Sequence, residues 1–82
     1  MKEPISPDQR RALRHIAWNG HDGITEGLLI LHGISVKTLA ELIKAGLATA
    51  HVERSGRPKV ARTVLVITDA GREAINYPAD EA

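Results

Sequence analysis

Eighty-two residues, a formal net charge of +1 and no cysteine describe one small domain without a disulfide or a thiolate metal site. Such a chain buries about 60–65% of the surface its unfolded form exposes, which leaves little room for an effector pocket or a catalytic cleft. No apolar run approaches a membrane span, the N-terminus has no apolar signal core, and with Trp18 and Tyr77 the only aromatics, stacking on nucleobases is disfavoured.

Residues 1–5 read as a frayed arm. Ser6-Pro7-Asp8-Gln9 is a helix start: Ser6 caps, Pro7 suits the first helical position, Asp8 complements the dipole and Gln9 can close a capping box. The first helix should run to about Asn19, burying Ala12, Leu13, Ile16 and Ala17 and leaving Arg10, Arg11 and Arg14 outside. A turn at His21-Asp22-Gly23 leads to a very short strand at Ile24. Thr25 can cap a second helix from Glu26 to about His32, with Leu28, Leu29 and Leu31 as its apolar content and Gly33 as its stop.

Residues 35–46 form the element around which the chain is organised. Ser35 is the expected N-cap and Gly46 the left-handed end, with Leu47 packing back on Leu42 as in a Schellman ending. Leu39, Leu42 and Ile43 fall on one face, and Lys37, Glu41 and Lys44 on the other, with Thr38 and Ala40 beside them. Helix, short turn with glycine, helix is a helix-turn-helix spacing.

After Gly46 the period changes to two. A strand over 47–54, a turn at Ser55-Gly56-Arg57-Pro58 and a strand over 60–67 should form an antiparallel hairpin. The second strand offers two candidate core faces, Val64 with Val66 or Leu65 with Ile67. Thr68-Asp69 starts a last helix with Ala70, Ala74 and Ile75 able to pack inward and Gly71 allowing close approach; Tyr77-Pro78 stops it before an acidic tail. The fold class is therefore α+β, one domain over 1–82 with an ordered core of about 6–77 and flexible residues at 1–5 and 78–82.

Three helices followed by a hairpin resemble a winged helix-turn-helix domain. Leu39-Ala-Glu-Leu-Ile-Lys-Ala-Gly-Leu47 is similar to the recognition-helix ending common in that superfamily. Val66-Ile-Thr-Asp-Ala-Gly-Arg-Glu-Ala-Ile75 is similar to the Leu-Thr-x-x-Gly-Arg segment that follows the wing in MarR-type and PadR-type regulators. The resemblance implies a three-helix core with a β-hairpin wing and a short last helix. It implies a sequence-specific double-stranded DNA-binding protein, a cytoplasmic transcriptional regulator without a cofactor. A homodimer on an inverted repeat would match a two-fold operator. The long flanking helices through which MarR-type proteins dimerise have no counterpart here.

On that reading helix 35–46 enters the major groove, with Ser35, Lys37, Thr38, Glu41 and Lys44 at bases or phosphates. The wing, 53–62, carries Arg54, Arg57, Lys59 and Arg62 against Glu53. Gly56-Arg57-Pro58-Lys59 matches part of an AT-hook core, though Ser55 stands where that motif has Arg. Arg57 would enter a narrow A·T minor groove while Arg54, Lys59 and Arg62 hold phosphates. The plainer readings are a solvated Lys-Glu-Lys helix face and a charged hairpin tip that protects edge strands. The alternative function is a winged-helix protein–protein interaction module that does not bind DNA. His15, His21, His32 and His51 match no metal-ligand spacing, and no nucleophile elbow, phosphate loop or paired-carboxylate motif supports an enzyme.

Overall fold

Ser6 opens the first helix through the reciprocal pair its sequence encodes. The Gln9 amide donates to Ser6 Oγ at 3.1 Å, and the Ser6 amide donates to Gln9 Oε1 at 2.9 Å. The computed structural model describes residues 5–56 and 59–75. Residues 1–4 of the arm expected at 1–5, Arg57 and Pro58 of the turn, and Tyr77, Pro78 and the acidic tail lie outside them, whereas Ile5, also expected in the arm, is packed against the core. Helix α1 (Pro7–Trp18) buries Ala12, Leu13, Ile16 and Ala17, and Ile5 is half-buried against the same core.

A single 3-10 turn (Gly20–Asp22) leads to β1 (Ile24–Thr25). Gly23 between them is glycine for two reasons. Its φ is +74°, and a Cβ there would lie 2.8 Å from Val64 Cγ1 and against the Leu65 carbonyl. Thr25 caps α2 (Glu26–Leu31), and Ser35 caps α3 (Val36–Lys44). Both helices end in the same device. The Ile34 amide donates to the Leu29 carbonyl and the Gly33 amide to that of Ile30. The Leu47 amide likewise donates to Leu42 and the Gly46 amide to Ile43, all at 2.9–3.0 Å.

Strand β2 (Ala48–Ser55) pairs antiparallel with β3 (Val60–Ile67) from Ala48 opposite Ile67 to Ser55 opposite Val60. Strand β1 adds to the far side of β3, giving the order β1-β3-β2. The core face of β3 is Leu65 with Ile67, and Val64 is buried on the opposite face beneath Gly23. Thr68 caps the last helix, α4 (Asp69–Ala74), and Ile75 returns to the core. Among the described residues the protein is thus a small α+β fold of four α-helices and one three-stranded antiparallel sheet, and no helix is long and apolar enough to cross a membrane.

The structure sorts the apolar residues of α2 and corrects three expectations, the burial of Ile43 and of Ala70 and the exposure of Thr38. Of the α2 apolar residues only Leu29 is buried; Leu28 is 48% and Leu31 82% exposed, because six residues present too little length to turn three large side chains inward. Ile43 is 41% exposed, since Leu39 and Leu42 fill the contact of α3 with the core. Ala70 faces solvent on α4, where Gly71 takes the inward position. Thr38, expected on the outer face of α3, is buried.

Candidate nucleic-acid interface

Helix α3 is amphipathic and fixed at both ends. Its outward residues are Val36, Lys37, Ala40, Glu41 and Lys44. Lys37 and Lys44 lie two turns apart, roughly 10 Å along the axis. Neither forms an ion pair among the described residues. Glu41 lies between them, but its Oε1 accepts from Gln9 Nε2 of α1 at 3.0 Å, which draws the carboxylate toward α1.

Ser35 and Thr38 belong to the cap rather than to the outer face. The Thr38 amide donates to Ser35 Oγ at 3.1 Å, and the two hydroxyls share a hydrogen bond at 3.0 Å. Thr38 is only 7% exposed. Its side chain is spent on holding the first turn of α3, so a base contact from it would require the cap to open. Ser35 remains exposed, with its hydroxyl engaged by the same cap.

The hairpin leaves the core about halfway along its length. His51, Val52, Glu53 and Arg54 on β2 are exposed, as are Val60, Ala61 and Arg62 on β3. Register then sorts the cations. Ala48, Ala50, Val52 and Arg54 share one face with Ala61, Thr63, Leu65 and Ile67, the face that continues the core. Arg62 pairs across from Glu53 on the other face. Glu53 is itself bonded to His51, Nε2 to Oε2, at 3.1 Å. Arg62 also lines a shallow, open depression with Thr25, Glu26, Gly27 and Thr63. Arg54 and Arg62, expected to act together on phosphates, therefore point to opposite sides of the ribbon. Lys59 is exposed at the turn, and Arg57 lies outside the described residues.

On α1, Arg14 is exposed, Arg10 half-buried, and Arg11 donates from Nη2 to the Gly33 carbonyl at 3.2 Å. No motif or spacing signals what lies beside them. The imidazoles of His15 and His32 stack with centroids 4.6 Å apart and planes 19° from parallel. Burial, then the charges of His32 and Arg11, hold the His15 pKa below its ordinary value. Spacing could not show this pair, because a helix terminus and a turn bring the rings together.

Among the described residues no three His, Asp or Glu side chains come together as a metal site, and no buried side-chain polar atom lacks a hydrogen-bond partner. The arrangement offers cations on a helix face and on a projecting ribbon. No family model matches the chain, and neither a curated protein nor a solved structure was found similar to it.

Proposed function

We propose that the chain is a winged-helix, sequence-specific double-stranded DNA-binding protein, acting as a transcriptional regulator. Helix α3 enters the major groove with Lys37 and Lys44 toward the duplex, and the β2–β3 hairpin is the wing at the flanking minor groove. The observation that carries this reading is the pairing of a doubly capped amphipathic helix, its lysines without an ion pair among the described residues, with a ribbon that leaves the core exposed and cationic. A helix of nine residues is about 14 Å long and of a size that a major groove admits. The Arg54 face of the ribbon continues the face on which the helices pack, which favours joint contact with one duplex. Thr38 is left out of the contact set, and Ser35 contributes through its cap.

The test is fluorescence anisotropy of a labelled random-sequence duplex at several salt concentrations. Phosphate binding releases counterions, so log K should fall with log[salt] at a slope of about −4 to −6, as for some five to seven phosphates. Arg57→Ala should weaken binding, most strongly on A·T-rich duplexes. Absence of binding at low salt overturns the proposal.

A further inference from the structure

Trp18 and Leu31 are each 82% exposed, the two largest exposures of big apolar side chains among the described residues. They belong to one surface. The His32 ring at the end of α2 stacks on His15 of α1, and Arg11, a turn before His15, reaches the carbonyl of Gly33. The end of α2 therefore lies against α1. Trp18 lies three residues beyond His15, and Leu28 four residues before His32, so each stands about one helical turn from the stacked imidazoles. Leu31 follows Leu28 on the same face of α2. Beside this strip, Arg11, Arg14, His15 and Trp18 line one open depression.

We propose that this face docks an acidic amphipathic segment of another protein, with apolar side chains on Trp18, Leu28 and Leu31 and carboxylates on Arg11 and Arg14. Charge complementarity selects the partner. Arg14 forms no ion pair among the described residues, Arg11 is bonded to a carbonyl only, and no acidic residue lines the depression. The carboxylates nearest in sequence flank the strip: Asp8 a turn before Arg11, Asp22 in the turn after Trp18, and Glu26 at the start of α2. A second copy presenting the same face about its middle would set its own Arg11 and Arg14 against these arginines, with carboxylates only at the ends of the strip. A nucleic acid would leave Leu28 and Leu31 uncovered, whereas a protein segment covers both and buries them. The face shares no residue with α3 or the hairpin, so it stands whether or not the chain binds DNA.

The probe is a fluorescein-labelled designed helical peptide with Leu at i, i+3, i+4 and i+7 and Glu elsewhere, with a Lys-for-Glu sister peptide as control. The acidic peptide should bind the full chain and shift the emission of Trp18, its only tryptophan, to the blue. The basic peptide should not. Leu31→Glu and Arg14→Glu, both at exposed positions and expected to leave the melting temperature unchanged, should each weaken binding by roughly tenfold or more. The proposal is overturned if the acidic peptide does not bind, if both peptides bind equally, or if neither variant matters. It is also overturned if single-stranded DNA competes for the face, or if sedimentation shows a homodimer that Leu31→Glu dissociates.

Discussion

Thr68 donates its hydroxyl proton to the carbonyl of Gly46 at 2.7 Å, joining the cap of α4 to the end of α3. The same oxygen accepts from the Gly71 amide at 3.1 Å, and the Thr68 amide donates to the Leu47 carbonyl at 3.1 Å. A Cβ on Gly71 would run into that Leu47 carbonyl. One threonine and one glycine three residues apart thus clamp the turn that follows α3, which supplies a physical reason for Thr-x-x-Gly after the hairpin.

The clamp separates two kinds of glycine. Gly46 has φ +78° and open space around it, so Gly46→Ala should cost only the left-handed strain, about 1–2 kcal/mol. Gly71→Ala forces backbone apart and should cost more, about 3 kcal/mol. Thr68→Ala removes a cap and the bridge to Gly46, at about 1–2 kcal/mol. Urea unfolding of the three variants checks the order; equal losses at Gly46 and Gly71 would mean that the close approach to Leu47 is relieved without cost.

Thr38 and Lys37 are neighbours in sequence with opposite expected phenotypes. Thr38→Ala should lower stability by about 1 kcal/mol, through the lost hydroxyl pair with Ser35 and a small void, and leave the DNA affinity of the folded protein unchanged. Lys37→Ala should leave the melting curve in place and weaken binding to a preferred site on the order of tenfold. Thermal melts beside anisotropy titrations distinguish the two. A Thr38→Ala protein that melts normally but binds poorly would return Thr38 to the contact set.

The His15 imidazole links α1 and α2 to pH. Burial and its positive neighbours lower its pKa in the folded chain, so between that value and the ordinary 6.5 the unfolded chain binds more protons. Folding stability should therefore be unaffected by His15 above about pH 6.5, fall as pH drops through 6.5, and level off below the folded pKa. His32→Ala removes one positive neighbour and should raise the His15 pKa part of the way, the burial contribution remaining. Imidazole proton shifts by NMR across pH 4 to 8, with urea midpoints at the same pH values, test both statements.

Most of the fold was legible because its signals are local. Ser6 with Gln9, Thr25, Ser35 and Thr68 each announce a helix start, Gly33 and Gly46 each announce an end, and all six act as read. What stayed open was the inward side of a short helix and the core face of one strand. In α2 periodicity cannot decide among Leu28, Leu29 and Leu31, because six residues span less than two turns and the neighbours choose the inward side. In β3 the choice between Val64 and Leu65 faces depended on β1 and Gly23, partners some forty residues away. The candidate site was legible in residue type but not in direction. Lys37 and Lys44 face solvent as periodicity required, whereas the burial of Thr38 and the split of Arg54 from Arg62 follow from a cap and a register that composition does not encode.

That split gives the hairpin a polarity that can be measured. Arg54 lies on the ribbon face that continues toward the helices, and Arg62 on the reverse face opposite Glu53 and beside Glu26. A phosphate reached jointly by α3 and the ribbon meets the Arg54 side. Arg54→Ala should therefore lower the magnitude of the salt slope by about 1, the signature of one lost phosphate contact. Arg62→Ala should change the slope much less, because the carboxylates beside it already offset its charge. Glu53→Gln should tighten binding, more at low salt than at high, since screening shortens the reach of the charge it removes. Anisotropy isotherms from about 50 to about 300 mM salt, roughly a sixfold range, measure all three slopes. A larger slope change from Arg62→Ala than from Arg54→Ala would mean that the duplex lies against the reverse face of the ribbon, and that α3 and the wing do not share one DNA surface.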